Sequence, residues 1–249
     1  MTTADATIVV PCFNEATRLD PQAVASLAKD GRRVLLINDG STDSTLGLLR
    51  TLEEQHDTID ILDLQVNTGK AEAVRRGLQV ALDRGAVVVG YADADMSTPV
   101  SELVRLIDIA GDDARLKVVL GSRVTLLGRD VERSALHHYR GRVFATAAGI
   151  ILRIGVYDTQ CGAKVFRDDP ALRQALSEPF HSRWAFDVEL LGRLLRGRHG
   201  VPGLPVQTFV EVPLLEWHDV AGTKMSLAGA VRAGLELAVI ARSLAVWDG

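Results

Sequence analysis

Cysteine is scarce in this 249-residue chain: only Cys12 and Cys161 occur, and they lie far apart. That excludes a disulfide scaffold and fits two buried thiols in a reducing compartment. Long apolar runs are missing as well. The most apolar uncharged stretch, Val143 to Leu152, has about half of the ~20 residues that a bilayer-spanning helix needs. The amino terminus, Met1-Thr2-Thr3-Ala4-Asp5, carries neither the basic nor the apolar region of a signal peptide, so the cytoplasm is the expected location. There is no basic excess: a net charge of −4 argues against a general nucleic-acid-binding role. Neither G-x-G-x-x-G after the first strand nor a Walker phosphate loop is present, which removes the two commonest glycine-rich nucleotide cradles.

What is present is 47% hydrophobic residues, enough for a large globular core. Thr7-Ile8-Val9-Val10 reads as a first buried strand stopped by Pro11. A helical pattern from Pro21 leads to a second strand, Val34 to Ile37, and Ser41 to Ser44 offer a cap for the helix that follows. Ile59 to Leu64 is a third strand; it runs through Asn67-Thr68-Gly69-Lys70 into a helix from Ala71 to Leu82. Val87 to Ala92, a helix around Leu103 to Ile109, and Val118 to Leu120 continue the alternation, and Val206 to Val212 reads as a late strand. Repeated βα units predict a single α/β domain over 1–249, a mostly parallel sheet with helices on both faces.

Three strand ends carry polar clusters: Phe13-Asn14-Glu15, Asp39-Gly40-Ser41 and Asp93-Ala94-Asp95. Open α/β sheets bind ligands at the carboxyl ends of their strands, so three clusters on one edge mark a site. Asp93 and Asp95, one residue apart after a β-branched run, suit a hard divalent cation with oxygen ligands. A turn-and-cap role for an Asp-x-Asp is the plain alternative.

Pro11-Cys12-Phe13-Asn14-Glu15, Asn38-Asp39-Gly40-Ser41-Thr42-Asp43, Asn67-Thr68-Gly69-Lys70 and Asp93-Ala94-Asp95 together resemble the family-2 inverting glycosyltransferases of GT-A fold. Gly121-Ser122-Arg123, Asp158 to Phe166, Arg183 to Leu191 and Glu211-Val212-Pro213 are similar to the branch that makes dolichyl- or polyprenyl-phosphate sugars, the β-glucosyltransferases most of all. The resemblance implies a nucleotide-binding half over 1–123 and an acceptor-side half over 124–249. It also implies a nucleotide-sugar donor, UDP-glucose, and a divalent metal, Mg or Mn, on Asp93 and Asp95. Phe13 stands where the family usually has tyrosine, near the base; Glu15 and Asp39 match nucleoside-recognising positions. Arg123, Lys70 and Lys224 fall in motifs that approach the donor's phosphates or sugar, and the loop holding Lys224 is one that closes over the donor. The matching motifs bring Pro11, Asn14, Ala94 and Gln160 into the expected substrate-binding set.

The acceptor is left open between two chemistries. A polyprenyl phosphate is ionised near neutral pH and needs cations, for which Arg133, Arg140, Arg142 and Lys164 are candidates. A soluble hydroxyl compound needs a general base, and Asp187 is the candidate, with an N-cap of the helix Val188 to Leu195 as its structural alternative. A nucleotide-sugar-binding protein without turnover is a third reading, which the intact Asp93 and Asp95 disfavour. Ser226 to Trp247 has a narrow polar strip of Arg232, Glu236 and Ser243 on an otherwise apolar helix. Such a helix must bury its surface, against the domain, a second subunit in a homodimer, or peripherally at the inner face of a membrane. His137-His138 complete no metal site. Arg193 to Arg198 reads as the solvated end of a helix, where positive charge suits the macrodipole.

Overall fold

The first apolar runs fold as β1 (Ala6–Cys12) and β2 (Arg33–Asn38), paired in parallel with Val9 beside Leu35. The computed structural model describes residues 6–128, 130–131, 135–218 and 227–247, with the side chains of 135–141 and 227–233 outside that description. Between and after these strands come α1 (Pro21–Leu27), α2 (Thr45–Gln55), β3 (Ile59–Asp63), α3 (Lys70–Asp83), β4 (Val88–Tyr91), α4 (Val100–Asp112) and β5 (Val118–Ser122). The second half supplies β6 (Asp130–Val131), α5 (Ala135–Leu152), β7 (Lys164–Arg167), α6 (Pro170–Ala175) and α7 (Phe186–Arg196). It ends with β8 (Gly197–Arg198), β9 (Val201–Pro202), β10 (Phe209–Pro213), β11 (Glu216–Trp217) and α8 (Leu227–Trp247).

Seven strands form one sheet in the order β10-β5-β7-β4-β1-β2-β3. All pairings are parallel except those of β7, which runs antiparallel between β4 and β5. The expected single α/β domain with a mostly parallel sheet is therefore what the chain adopts. Because side chains alternate along a strand, β1 sends Ile8 and Val10 to one face and Val9 to the other, and β2 likewise divides Val34 and Leu36 from Leu35 and Ile37. One face packs on α1, α2 and α4, the other on α3 and the helices of the second half. Both faces are dry, and the strand residues named here are almost fully buried.

The reversal of β7 has a functional consequence. Its first residue, Lys164, pairs with Tyr91 at the end of β4, so a strand start joins the edge where the parallel strands end. Two sequence expectations need correction, and a third is sharpened. The run from 206 opens as a 3₁₀ turn, Val206–Thr208, and only Phe209–Pro213 is a strand; Thr208 Oγ1 and N both donate to Pro205 O and hold the turn. The α2 cap comes, as expected, from within 41–44: Asp43 Oδ1 accepts from Thr45 N at 2.9 Å, while Ser44 at the cap position makes no side-chain bond. Arg193 is not solvated: it is 1% exposed, pairs with Glu189 at 2.7 Å and donates to the carbonyls of Ala175, Glu178 and Pro179. A chain segment, 175–180, wraps the end of α7 and buries a guanidinium that periodicity alone places outside.

Candidate active site

The carboxyl ends of β1 and β2 are tied together by their own polar loops. Asn14, at φ 54, accepts from Thr42 N at 2.8 Å through its side chain and donates its own N–H to Ser41 Oγ at 3.1 Å. Asp39, 2% exposed, accepts from Thr68 N, Thr68 Oγ1 and Gly69 N at 2.7–2.8 Å. Both its oxygens thus clamp the loop that starts α3. Gly40 must be glycine here, with φ at +66° and the backbone of Val66 and Asn67 where a Cβ would stand. Pro11 lies partly buried at the end of β1, and Phe13 projects into solvent at 44% exposure.

Two residues past β4, Asp93 and Asp95 face this edge, with Ala94 buried between them. Met96, at φ 48, turns the chain back and donates to Asp93 O. Asp93 Oδ1 receives Lys70 Nζ, and its carboxylate lies against Gly162, where any Cβ would overlap it. Asp95 Oδ2 receives Arg18 Nη2 at 2.9 Å and Oδ1 receives Ser97 N at 3.1 Å. Arg18 also reaches Glu15 Oε1 at 3.3 Å, while Glu15 Oε2 is buried without a partner among the described residues.

These charges perturb one another. Burial raises the pKa of Glu15, Arg18 pulls it down, and Asp95 and Asp93 add to the rise. For Asp93, burial is opposed and outweighed by Lys70, with Arg123 and Lys164 behind it, so its pKa falls. Burial works against the Lys70 ammonium, yet Asp93, Asp187 and Asp95 more than offset it and the pKa rises.

The second half closes the site. Arg123, just past β5, donates Nε and Nη2 to Asp158 at 2.7 and 2.9 Å and stacks over Trp217. Burial opposes that cation and Asp158 overcomes the penalty, so its pKa is raised. Asp158 is in turn fixed by Glu211, which accepts from the backbone N–H groups of Tyr157 and Asp158. Gln160 bonds Asp158 through its N–H, and its side-chain Nε2 is buried with no partner among the described residues. Lys164 is fully buried, donating to Asp187 Oδ1 at 2.6 Å and Cys161 O at 2.5 Å, so its ammonium does not face solvent. Asp187 does not cap α7. That position is Ala185, and Asp187 lies within the first turn, 6% exposed, accepting from both Lys164 Nζ and Tyr91 OH. Burial first, then Asp187, pushes the Tyr91 phenol well above its ordinary pKa, so it remains a donor. Arg142 stacks on the Tyr157 ring at 3.9 Å and donates to its carbonyl. Arg133 and Lys224 lie outside the described residues, as does the side chain of Arg140.

Sequence reading gave no site role to Arg18, Tyr91, Gly162 or Arg183, though the last three lie in its motifs. Arg183 donates to Thr68 O at 3.1 Å and lies beside Gly69. The only sequence signals for the first two are a basic residue three positions after Glu15 and an aromatic two before Asp93. A cleft of about 370 Å³ lined by Thr7, Arg33, Asp60 and Arg84 sits at the opposite, amino-terminal edge of the sheet, so cleft volume does not mark the site.

The residues fit a divalent cation. Two carboxylates meet on one edge, Gly162 leaves room for one of them, and Glu15 Oε2 is an unpartnered oxygen nearby. Among the described residues no third acidic ligand completes a closed cage. An ion here would keep positions for water and substrate phosphate, as Mg²⁺ commonly does.

A doubly wound sheet with its polar edge built this way is the GT-A glycosyltransferase architecture. A crystal structure of a mycobacterial protein aligns with a TM-score of 0.70 at 17% identity, covering 98% of this chain and 78% of that one. The mannosyltransferase PcManGT from Pyrobaculum calidifontis, solved with GDP-Man and Mn²⁺, aligns at 0.57 and 17% identity over 98% of this chain and 65% of that one. The family model for glycosyl transferase family 2 matches residues 7–173, and the chain belongs to that family. Similar curated proteins are dolichyl-phosphate β-glucosyltransferases. ALG5C of Trichomonas vaginalis is 30% identical over 94% of this chain and 70% of its own length, and the Dictyostelium discoideum protein is 31% identical over 88% and 68%. The Saccharomyces cerevisiae protein is 28% identical over 94% and 73%. The chain is thus a family-2 glycosyltransferase.

Proposed function

We propose that this enzyme transfers glucose from UDP-glucose, with inversion, to the phosphate of a polyprenyl or dolichyl phosphate. The observation that carries the choice of acceptor is the state of Asp187. Its Oδ1 is committed to a buried ammonium and a buried phenol, which suits a structural anchor better than a base that must take a proton. An acceptor phosphate is already ionised and needs no base. Trp184 and Phe144 pack edge to face beside the start of α7, and Val143 and Ile150 are exposed along α5. Exposed apolar side chains of this kind would suit contact with an isoprenoid chain. Leu235, Val239 and Val246 are likewise exposed on α8. Exposed apolar residues on these helices are those through which the protein would meet a membrane peripherally or pair with a second copy. Among the described residues no helix is long and apolar enough to cross a membrane.

Asp93 and Asp95 would hold Mg²⁺ or Mn²⁺. When bound, the metal supplies positive charge for the departing diphosphate. The chain's own residues do the rest. Lys70, freed from Asp93, places a cation by the donor, and Asp39 fixes the loop that presents it. Phe13 offers an exposed ring for the base. Arg123, held by Asp158 and Glu211, adds fixed positive potential near Asp93. Transfer to a soluble hydroxyl compound is the competing reading, favoured by the position of Asp187 inside the site and away from the helix cap.

Release of nucleoside diphosphate from UDP-, GDP- and dTDP-sugars, measured with Mg²⁺ or Mn²⁺ and with or without a short polyprenyl phosphate, separates the readings. A rise that needs both the lipid phosphate and UDP-glucose supports the proposal. Slow donor hydrolysis unaffected by lipid phosphate contradicts it and turns the search to hydroxyl acceptors.

A further inference from the structure

Each carboxylate of the metal-binding pair carries a basic partner: Lys70 on Asp93, and Arg18 on Asp95 and Glu15. The Arg18 and Lys70 side chains are both 43% exposed, so neither is locked in place by packing. Arg18 belongs to the β1–α1 loop, and its guanidinium spans the two acidic groups while the remaining Glu15 oxygen stays buried and unpaired. A divalent cation held by the Asp95 carboxylate would compete with Arg18 for its charge and for Oδ2, since Oδ1 already accepts from Ser97 N. With the carboxylate so engaged, the Arg18 guanidinium would be available to pair with an anionic group of the donor.

We propose that Arg18 is a donor-binding residue that works by exchange: it neutralises Asp95 and Glu15 until the metal takes Asp95, and then pairs with the diphosphate of the nucleotide. The proposal rests on the reading of Asp93 and Asp95 as the metal pair. Its consequence is thermodynamic. Metal alone must compete with Arg18 and gains no new partner for it; metal with nucleoside diphosphate supplies that partner. Arg18 therefore makes metal binding depend on nucleotide, and by linkage nucleotide binding depend on metal.

The test is Mn²⁺ affinity, read by electron paramagnetic resonance of free Mn²⁺, with and without UDP, in the wild type, Arg18→Ala, Asp95→Asn and a remote control, Arg33→Ala. Arg33 pairs with Asp60 at the opposite edge of the sheet. Arg18→Ala is expected to bind Mn²⁺ alone about two- to fivefold more tightly, the range an exposed ion pair is worth. The increase in Mn²⁺ affinity caused by UDP should shrink by at least the same factor, and Arg33→Ala should match the wild type. Mn²⁺ affinity unchanged or weaker in Arg18→Ala overturns the proposal. So does equal tightening with and without UDP, which would make Arg18 a source of background charge with no part in the exchange. Asp95→Asn checks the reading beneath it: retained Mn²⁺ affinity there would sink the metal pair itself, whatever Arg18 does.

Discussion

Two sets of ion pairs in this protein are built from the same residue types and do opposite things. At the proposed donor edge, Arg18–Asp95 and Lys70–Asp93 join half-exposed cations to carboxylates. Deeper in the second half, Glu189–Arg193 is fully buried on both sides, and Lys164–Asp187 nearly so. Exposed pairs are worth little, typically under about 1 kcal/mol, and exchange partners readily. Buried pairs are hard to break, because losing one partner strands a charge in a dry interior. The chain thus keeps its adaptable charge at the proposed donor site and its rigid charge among the helices behind it.

The largest effect should come from the rigid set. Arg193→Ala leaves Glu189 buried without its guanidinium and removes the stacking on Phe180 and Trp247. It should lower stability by about 3–5 kcal/mol in chemical denaturation, the range for a buried pair stripped of one member. Asp187→Asn should also destabilise, since it strands the Lys164 ammonium, so any loss of turnover must be read against the folded fraction.

At the adaptable end the effects should fall on activity. Asp95→Asn should reduce kcat/KM by at least about 100-fold, the order expected when a preorganised electrostatic partner of the transition state is lost, with unfolding midpoint unchanged. Gly162→Ala is sharper still as a geometric test. Its methyl would push the Asp93 carboxylate aside, so metal-dependent activity should drop by about tenfold or more, on the scale of a 1 Å misplacement. A Gly162→Ala enzyme with normal metal dependence would mean that Asp93 is not held where the site needs it.

The smallest effects concern groups outside both sets. Arg33→Ala, at an exposed pair, should shift stability by no more than about 0.5 kcal/mol. Cys12 and Cys161 are buried, and burial pushes their thiols up to about 12 and about 11. A raised pKa keeps each thiol protonated below that value, so at pH 8 neither should react with Ellman's reagent until the protein is unfolded. Rapid titration of one thiol in the native state would place that cysteine at the surface.

The adaptable set was largely legible in the sequence, and the rigid set was not. Asp39, Asp93 and Asp95 follow apolar β-branched runs directly, so local pattern alone puts them at the ends of parallel strands. Lys164 and Tyr91 meet only because the short β7 is reversed, a pairing of residues 73 positions apart by number that no local period records. Arg193 sits in an arginine-rich helix end, and what buries it is the backbone of 175–180, whose carbonyls are invisible to composition. Asp187 shows both limits. Its motif marked it as important, but its partners, a lysine and a tyrosine from two other strands, had to come from the fold.

The central claim is tested most directly by incubating the enzyme with UDP-glucose labelled in the sugar, a short polyprenyl phosphate and Mn²⁺ or Mg²⁺, then measuring label in the organic phase. The account predicts lipid-extractable glucose that depends on enzyme, lipid phosphate and metal, and that disappears with EDTA and in Asp95→Asn. Label that stays in the aqueous phase as free glucose or as a soluble glucoside, under conditions where the donor is consumed, would contradict it.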